Sequence, residues 1–430
     1  MKWKVVKLDE IKAPEKGALV SGPFGSNIGS RFFVATGVPV IRGNNLSMGQ
    51  KRFIDDGFVF ITEDKARELR NCNARSDDII FTAAGTLGQV GLMPKIGRFE
   101  SYIISNKQIR LRLDTNQAFP LFAYYFLSSP DMRAFIASQN KGSSVPLLTL
   151  GIIRNLKIPL PPITTQKRIV AILSAYDELI ENNQRRIALL EKMAEEIYRE
   201  WFVRLRFPGH EKVKKVKGVP EGWEIQKIGQ LFNTSSGGTP PRENISNFNG
   251  EICWAKTGEL KSTFVLDTEE KISQSGIDSS AAKIYPRYTI VIAMYCAMPD
   301  ISILAVDSAT NQACCAFFPK NDYFHYSYSY LLIKFAQKHM INFAHGAAQQ
   351  NLSQELIKGF PLLTPTKDLI IEYSKVAEPI FIQVEQLMKT NTYLRKIRDQ
   401  LLPRLISGKL SVEQLDIRFP PGMEESVHDI

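Results

Sequence analysis

The chain contains 430 residues, with 54 lysines and arginines against 44 aspartates and glutamates, and its formal net charge is +10. Its 44% hydrophobic and 23% charged content is typical of a globular protein and excludes a disordered or fibrous chain. No stretch approaches the ~20 apolar residues of a membrane span, and the first residues do not resemble a signal peptide. The five cysteines form no CxxC pair, which argues against a disulfide framework or a zinc site. We therefore expect a cytoplasmic protein of two or three domains.

The positive charge is concentrated in the first part of the chain. Residues 1–162 contain 22 basic and 13 acidic side chains, a net charge of +9, and residues 163–217 add +4. Residues 218–362 carry −2 and residues 363–430 carry −1. An excess of lysine and arginine favours a polyanionic partner such as nucleic acid, although a merely basic soluble surface explains the charge equally well.

Globular segments alternate with long helices along the chain. Residues 1–162 contain short β-like runs, such as Val38-Pro-Val-Ile41, and a helix near residues 119–139. Residues 163–207 follow a Pro-Pro pair and contain no glycine, which predicts a long helix. A basic linker at 208–222 leads to a second globular domain at 223–362, with similar short runs and a helix near 326–344. A second long helix at 363–412 precedes a C-terminal tail at 413–430.

The two halves of the chain repeat one another. Trp3 to Ile11 matches Trp223 to Leu231 at an offset of 220, and Thr149 to Pro159 matches Asn351 to Pro361 at an offset of 202. The fall in offset is expected when loops of different length lie on a shared scaffold. We predict an α+β fold with two globular domains in tandem repeat, each followed by a long helix, the two helices pairing as an antiparallel coiled coil.

The two long helices carry apolar residues at alternating spacings of three and four, which predicts one buried seam on each helix. One asparagine stands on each seam where an apolar residue would pack better, and a buried asparagine there would penalise misaligned registers. Alternatively, the seam drifts and both asparagines face water. The residues expected at the helix-pair interface are Ile169, Tyr176, Leu179, Asn183, Ile187, Leu190, Val376, Ile380, Val384, Leu387, Asn391 and Leu394.

The sequence shows none of the motifs of a nucleotide-driven or cofactor-dependent enzyme. It contains no GxxxxGK[ST] phosphate loop, no GxGxxG between a strand and a helix, and no Asn/Asp-Pro-Pro-aromatic motif of amino-methyltransferases. The five histidines are scattered, and the adjacent Cys314 and Cys315 would point to opposite faces of a strand. We therefore predict no catalytic residue, no metal site and no enzymatic activity of the chain itself.

Several boundary motifs resemble those of the DNA specificity subunit of type I restriction-modification systems. The segment from Arg398 to Leu410, RDQLLPRLISGKL, is similar to the C-terminal helix ending of that family, and Ile197 to His210 resembles its counterpart in the first half. Pro220 to Trp223, followed by Gly237 to Pro240, is similar to the family's entry into its second target recognition domain. Ser21 to Asn27, SGPFGSN, resembles the early loop of the first. The resemblance covers essentially the whole chain.

The resemblance implies a non-catalytic, sequence-specific DNA-binding subunit. Residues 1–162 would be target recognition domain 1 and residues 223–362 target recognition domain 2, each reading one half of a bipartite, asymmetric target in double-stranded DNA. The long helices would be spacers that fix the separation of the domains and dock two adenine methyltransferase (modification) subunits. S-adenosylmethionine would be bound by those partner subunits and no cofactor by this chain, and motor-nuclease (restriction) subunits would join the complex.

Two functions of other classes remain open. A fused modification or nuclease component with unrecognised catalytic motifs would methylate or cleave DNA by itself. A structural coiled-coil adaptor between two protein partners would show no sequence-selective DNA binding. Activity of the purified chain and DNA selectivity of the assembled complex distinguish these functions from that of a specificity subunit.

The candidate DNA contacts are polar side chains on loops that a rigid sheet would hold. For each of them, a solvated loop residue is the alternative interpretation. In the first domain the candidates are Arg31, Arg42, Asn44, Asn45, Lys51, Arg52, Thr86, Gln89, Lys141, Ser143 and Ser144. In the second domain they are Arg242, Lys256, Thr257, Lys261, Tyr295, Gln349 and Gln350.

Overall fold

The computed structural model describes residues 3–48, 51–138, 147–295, 300–346, 352–420 and 423. The chain divides into two compact units. The first unit comprises residues 1–180 and 393–430, and the second comprises residues 181–392. Each unit therefore contains one globular domain and a part of both long helices.

The described part of the first globular domain contains short strands and four short helices. The strands are β1 (Lys4–Lys7), β2 (Leu19–Ser21), β3 (Val38–Ile41), β4 (Val59–Ile61), β5 (Asn73–Ala74), β6 (Ile79–Thr82), β7 (Val90–Leu92), β8 (Tyr102–Ile104), β9 (Gln108–Leu111) and β10 (Lys157–Leu160). The helices are α1 (Glu63–Glu68), α2 (Pro120–Leu127), α3 (Pro130–Ser138) and α4 (Leu150–Asn155). The single helix expected near 119–139 is thus two helices, because a proline disfavours the helical conformation of the residue before it and Pro130 begins a new helix.

Two four-stranded sheets form the centre of the first domain. One is antiparallel, in the order β2-β9-β6-β7, and the other is mixed, in the order β4-β3-β8-β5, with β3 parallel to β8. Strand β1 pairs with β10 in a separate two-stranded sheet, so that Lys4 lies opposite Leu160. The first sheet packs with α2 in one apolar core that includes Phe81 and Phe122, and the second sheet has its own core around Ile41 and Tyr102.

Two further segments of regular structure connect the domains. Helix α5 spans Ile163–Tyr198 and is followed by one π-helical turn at Arg199–Val203. Strands β11 (Lys215–Val216) and β12 (Val219–Pro220) form a small hairpin in the expected basic linker. The helix ends before residue 207 because Leu205 adopts a left-handed backbone conformation with φ +56°.

The described part of the second globular domain repeats the mixture of short strands and helices. Its strands are β13 (Glu224–Lys227), β14 (Phe232–Ser236), β15 (Ile252–Ala255), β16 (Phe264–Val265), β17 (Lys271–Ile272), β18 (Ile290–Ala293), β19 (Ile301–Leu304), β20 (Ser308–Thr310), β21 (Cys314–Pro319) and β22 (Pro361–Thr364). Its helices are α6 (Ile228–Leu231), α7 (Gln274–Asp278), α8 (Tyr326–Gly346) and α9 (Gln354–Gly359).

The two main sheets of the second domain contain as many strands as those of the first, divided five and three instead of four and four. A five-stranded sheet has the order β14-β21-β18-β19-β16, and a three-stranded sheet has the order β17-β15-β20. Strand β15 is parallel to β20, as β3 is parallel to β8 in the first domain. Strand β13 pairs with β22 in the same antiparallel way as β1 pairs with β10.

The second long helix, α10, spans Lys367–Ile406, whereas the sequence predicted residues 363–412. It begins later because residues 361–364 form β22, whose backbone pairs with β13. It ends earlier because Gly408 follows with φ +72°, a conformation that closes helices. Within the described residues, no helix is long and apolar enough to cross a membrane.

The two long helices pair in antiparallel orientation within each unit. In the first unit, Asp177 of α5 bonds Arg398 of α10, and Arg168 donates to the carbonyl of Val412 beyond the end of α10. In the second unit, Asn183 bonds Asn391, and the carbonyl of Ala194 accepts a hydrogen bond from Tyr373. Residue numbers rise along α5 while those of its partners fall along α10.

Candidate nucleic-acid interface

Loops from four places in the first domain meet at one edge of its sheets. The amide of Gly22 donates to the carbonyl of Gln108 at 2.9 Å, and the amide of Ser105 donates to the carbonyl of Ile41 at 2.9 Å. The amide of Ala83 donates to the carbonyl of Lys107 at 2.7 Å. These bonds bring together residues 22–32, 42–47, 83–89 and 105–107, which we call the first loop cluster.

The second domain builds a similar surface, and two of its backbone contacts match those of the first. The amide of Asn311 donates to the carbonyl of Ala255 at 3.0 Å, which matches the bond of Ser105 to Ile41. The amide of Gly238 donates to the carbonyl of Thr310 at 2.9 Å, and the amide of Met294 donates to the carbonyl of Ala313 at 2.8 Å. Residues 237–242, 256–261, 294–295 and 310–313 form this second loop cluster.

One glycine in each cluster is required by the close approach of two backbones. A Cβ atom on Gly22 would lie 1.8 Å from the carbonyl oxygen of Ser105, and one on Gly237 would lie 2.0 Å from that of Thr310. Each glycine follows a serine at the end of the first strand of its main sheet, β2 or β14. The matching requirement shows that both clusters use the same local geometry.

Four of the predicted contacts in the first domain are exposed: Arg31, Asn44, Lys51 and Thr86. The guanidinium of Arg31 donates to the carbonyl of Ser26 at 2.6 Å and lies 4.7 Å from the ring centroid of Phe32. The amide nitrogen of Asn44 donates to the carbonyl of Gly57 at 3.0 Å. These side chains are held in place at a surface that solvent reaches.

Other predicted contacts in the first domain are used by the fold itself. Asn45 is fully buried, and its amide nitrogen donates to the carbonyls of Ile54 and Asp56 at 3.0 and 2.8 Å. The prediction that Asn45 contacts DNA is therefore wrong, because its side chain fixes the loop that contains it. The amide of Gln89 accepts a bond from Thr82 at 2.8 Å and donates to Leu46 at 3.0 Å.

The two arginines predicted beside that loop are also drawn inward. Arg42 is half-buried, and its Nε atom has no hydrogen-bond partner among the described residues. The guanidinium of Arg52 donates to Tyr125 at 2.9 Å and to Asp177 at 3.2 Å. Arg52 thus contacts the long helix α5 of its own unit, and its contact with DNA stays a prediction.

The cations predicted in the second domain share one carboxylate. Arg242 and Lys256 lie 2.8 and 2.9 Å from the two oxygens of Glu270. The hydrogen bond from Lys256 lowers the pKa of Glu270, and the same bond raises the pKa of Lys256, so both of these groups stay charged at neutral pH. Arg242 also lies 4.6 Å from the ring centroid of Phe248.

Three more predicted contacts of the second domain lie on loops that the structure describes. Lys261 and Tyr295 are exposed, and Thr257 is half-buried in the turn that follows β15. Lys141, Ser143, Ser144, Gln349 and Gln350 lie outside the described residues. The residues that follow these two segments reach equivalent places, because Leu148 donates to the carbonyl of Ala83 and Leu352 donates to that of Met294.

Sequence reasoning missed the turn at the centre of each cluster. Asn106 and Lys107 are exposed between β8 and β9, and Gln312 is exposed between β20 and β21. The signal was present in the repeat, since the polar pairs Ser105-Asn106 and Asn311-Gln312 stand 206 residues apart, close to the offset of 202 at the end of each domain. Gln312 also bonds the hydroxyl of Thr239.

The predicted helix-pair residues divide into buried and exposed ones. Ile169 in the first unit and Asn183, Ile380, Val384 and Asn391 in the second are buried. The amide nitrogen of Asn183 donates to the amide oxygen of Asn391 at 2.9 Å, so neither asparagine is turned to water. Five others are half-buried, namely Tyr176, Ile187, Leu190, Leu387 and Leu394.

Two of the predicted seam residues do not lie at the interface. Leu179 is 52% exposed and Val376 is 43% exposed. The next residue along each helix, Ile180 or Ala377, is buried in its place. A seam of threes and fours drifts around a helix of 3.6 residues per turn, and the spacing alone did not fix which neighbour turns inward.

Three of the described cysteines lack the lowered pKa of a reactive thiol. Burial raises the pKa of the Cys72 and Cys253 thiols, and it raises that of Cys315 to about 12. A reactive cysteine requires the opposite shift. Among the described residues, no three His, Cys, Asp or Glu side chains are grouped so that they could hold a metal ion.

Comparison with known proteins gives one consistent family. Residues 1–192 and 220–400 match the family of the type I restriction modification DNA specificity domain. The chain is 24% identical over 390 residues to the MjaIX specificity subunit of Methanocaldococcus jannaschii, with 88% of each chain covered. It is 21% identical over 380 residues to the HindI specificity subunit of Haemophilus influenzae, with 72% of this chain and 82% of the relative covered.

A solved structure has the same fold. The S subunit of a type I restriction-modification system from M. genitalium superposes with a TM-score of 0.56 at 18% identity, covering 94% of this chain and 96% of its own. The two family matches fall on the two halves that repeat one loop arrangement. This protein therefore belongs to the family of type I restriction-modification specificity subunits, with two DNA specificity domains in tandem.

Proposed function

We propose that the two loop clusters read the two halves of one bipartite, asymmetric DNA target. The observation that carries this proposal is that equivalent backbone contacts present different side chains in the two domains. At the central turn, Asn106 and Lys107 of the first cluster correspond to Gln312 and Ala313 of the second. A common scaffold with different side chains suits two different half-sites, because base edges are distinguished by the hydrogen-bond groups placed against them.

The side chains on the clusters suit different parts of that task. Lysine and arginine neutralise phosphates and can also bond guanine, whereas asparagine and glutamine can make paired bonds to adenine. Arg31 and Lys107 give the first cluster two exposed cations, and the exposed Lys51, whose carbonyl accepts a bond from Ser47 of the cluster, adds a third beside it. Asn106 and Gln312 are exposed amides on turns that short strands hold on both sides. We assign the amides to base contacts and the cations chiefly to phosphates.

We further propose that the chain itself is non-catalytic and binds no cofactor. Adenine methylation would be performed by two modification subunits that carry S-adenosylmethionine, and cleavage by restriction subunits that join the complex. The high pKa of the buried thiols supports a role without nucleophilic chemistry. A cytoplasmic location, where cellular DNA is accessible, remains a prediction.

The test is to map modified adenines in cells that express this chain with its methyltransferase subunit. We expect one sequence motif made of two specific parts separated by a spacer of constant length. A cell carrying the methyltransferase subunit alone is the control and should lack the motif. Methylation of a single contiguous sequence, or methylation independent of this chain, would contradict the proposal.

A pair of substitutions assigns the clusters to the half-sites. Lys107→Ala should weaken binding to one half of the motif and Gln312→Ala to the other, when the assembled complex is titrated with targets mutated in either half. Arg67→Ala is the matched control, because Arg67 is exposed on α1, outside the clusters, and pairs only locally with Asp64. Equal loss at both halves from either substitution would count against one cluster for each half-site.

A further inference from the structure

Two carboxylates at equivalent positions of the long helices have no place in the DNA-reading surface. Asp177 lies on α5 and Glu385 on α10, 208 residues further along the chain. The same offset of 208 separates Asn183 from Asn391, which bond each other across the helix pair. The two carboxylates therefore occupy the same position in the two copies of the repeat.

In the first unit, Asp177 joins the recognition domain to both helices. One of its oxygens accepts hydrogen bonds from Tyr125 at 2.6 Å and from Arg52 at 3.2 Å, both in the globular domain. The other oxygen accepts a bond from Arg398 of α10 at 2.6 Å. The side chains of Asp177 and Arg398 are only 19% and 15% exposed, so water screens this contact weakly.

In the second unit, Glu385 makes the equivalent connection with different residues. Its two oxygens accept hydrogen bonds from Arg287 at 2.8 and 3.0 Å, and one of them also accepts a bond from Tyr288 at 3.2 Å. Lys389, one turn further along α10, lies 2.8 Å away. The Glu385 side chain is 4% exposed; burial opposes its charge, but the bonds from Lys389 and Arg287 prevail and lower its pKa.

Both carboxylates thus receive an arginine and a tyrosine from the recognition domain of their own unit. The arginine and tyrosine come from unrelated places in the two domains, a loop and α2 in the first but the turn before β18 in the second. The shared result is a helix carboxylate, half-buried in the first unit and buried in the second, that holds two donors of the domain. Taking such donors away from a carboxylate that is shielded from water costs free energy. The carboxylate therefore favours the domain orientation that keeps both bonds.

Backbone strain marks the second of these contacts. Tyr288 adopts φ +69°, a left-handed conformation that is unusual for an aromatic residue. Its ring stacks on Tyr326 with centroids 4.2 Å apart and planes 9° apart, and its hydroxyl reaches Glu385. Strain of this kind persists only where the surrounding contacts determine one geometry.

We propose that Asp177 and Glu385 are positioning residues, each of which fixes the orientation of one recognition domain on the long helices of its own unit. The consequence is that each carboxylate sets the direction in which its loop cluster faces, and this consequence rests on the proposed DNA-reading function. Apolar packing alone tolerates small rotations between a domain and a helix. Charge-assisted bonds to a helix carboxylate allow one arrangement.

The first test uses the free full-length chain and needs no DNA. Spin labels on non-canonical amino acids at Glu68 and Gln400, both exposed and both in the first unit, report the distance between domain and helix. Labels at Asn249 and Lys375 do the same in the second unit. Asp177→Asn should broaden the first distance distribution and leave the second unchanged, and Glu385→Gln should do the reverse.

Milder variants and controls guard this test against simple loss of folding. Tyr125→Phe removes a single hydroxyl and should broaden the first distribution less than Asp177→Asn does. Arg98→Gln in the first unit and Lys271→Gln in the second break ion pairs with the exposed carboxylates of Asp56 and Asp267, which do not reach the helices, and should leave both distributions narrow. A lower melting temperature with unchanged distributions in Asp177→Asn would overturn the proposal, since the contact would then only stabilise the unit.

The second test measures the functional consequence in the assembled methyltransferase complex. The complex is titrated with its two-part target at the native spacer and with one base pair added or removed. Asp177→Asn should lose most of the preference for the native spacer, and Asp177→Glu, which keeps the charge, should restore part of it. Unaltered spacer preference in Asp177→Asn would overturn the proposal. A wild-type complex without any two-part target would refute the proposed function, while the label distances would still decide the positioning role.

Discussion

The two recognition domains place their cations differently although they share one scaffold. In the first domain the described partners of Arg31 are a carbonyl and an aromatic ring, and Lys51 and Lys107 are exposed. In the second, Arg242 and Lys256 are both paired with Glu270. The net charge is +9 for residues 1–162 and −2 for residues 218–362. The comparison teaches that the two domains differ in the same direction in how many cations are available to phosphates.

The largest expected effect separates the cores of the two units. Phe122 and Phe317 are fully buried in different cores, and changing either to alanine should cost its unit about 3–5 kcal/mol of unfolding free energy. Hydrogen exchange should show lost protection mainly in the unit that carries the substitution. Ile96→Ala is the control, because Ile96 is 92% exposed. Equal loss in both units would mean that they unfold together.

The next effect tests the helix contact that belongs to the second unit. Asn183→Leu removes the amide that bonds Asn391 and should lower the free energy of unfolding by about 1–3 kcal/mol. Replacing both asparagines with leucine should cost less than the sum of the single changes, because both polar groups are then removed together. Thermal and denaturant unfolding of the three variants measures the coupling. Strict additivity would show that the bond contributes nothing specific.

A smaller effect concerns the salt dependence of DNA binding. Removing one cation that contacts a phosphate should reduce the slope of log K against log salt by about 0.9. We expect this reduction for Arg31→Gln and a much smaller one for Arg242→Gln, whose cation is already neutralised by Glu270. Binding of the assembled complex to its target across a salt series measures both slopes. An equal or larger reduction for Arg242→Gln would reverse the comparison.

The smallest effect comes from releasing the paired cations of the second domain. Glu270→Gln should raise DNA affinity modestly and steepen its salt dependence, because Arg242 and Lys256 lose their carboxylate partner. Glu269→Gln is the neighbouring control, since Glu269 is exposed and lies 3.8 Å from Lys256. A fall in affinity in Glu270→Gln would show that the carboxylate positions the cations instead of competing with phosphate.

The same carboxylate has a defined pH dependence. The pKa of Glu270 in the folded protein lies below its ordinary value of 4.5, chiefly because of the hydrogen bond from Lys256. The ion pairs are therefore intact above that ordinary value, and their stabilising contribution disappears as pH falls through the lowered pKa. Melting of wild type and Glu270→Gln should converge only in acid. A difference that persists unchanged below that range would contradict this assignment.

The repeat and the alternation of domains and helices could be predicted because they depend on local pattern. Trp3 and Trp223 mark the same strand in each half, and the 3–4 spacing with Asn183 and Asn391 predicted two helices that pair. Hydrophobic periodicity is a property of consecutive residues, so one sequence is enough to find it. The periodicity does not fix which residue of each turn faces inward. Leu179 and Val376 were therefore predicted on the seam, although their neighbours Ile180 and Ala377 are the buried residues.

The candidate site was predicted less completely because the same polar side chains can either contact DNA or bond other parts of their own fold. Asn45, Gln89 and Arg52 have the composition and the loop positions of DNA contacts, yet the structure bonds them to their own domain or helix. Their partners, Asp56, Leu46 and Asp177, lie between 11 and 125 residues away in the chain. No local pattern indicates such a pairing.

The sequence by itself determined that this protein is a tandem repeat of a globular domain followed by a long helix, with its positive charge in the first copy. Only the tertiary structure decided which polar groups face outward and which hold the domains. Asp177 and Glu385 are ordinary helix carboxylates in the sequence, and their significance arises from an arginine and a tyrosine that folding brings to each. The physical reason is that hydrogen bonds and ion pairs depend on distances in space, whereas a helix or a strand is specified by neighbours along the chain.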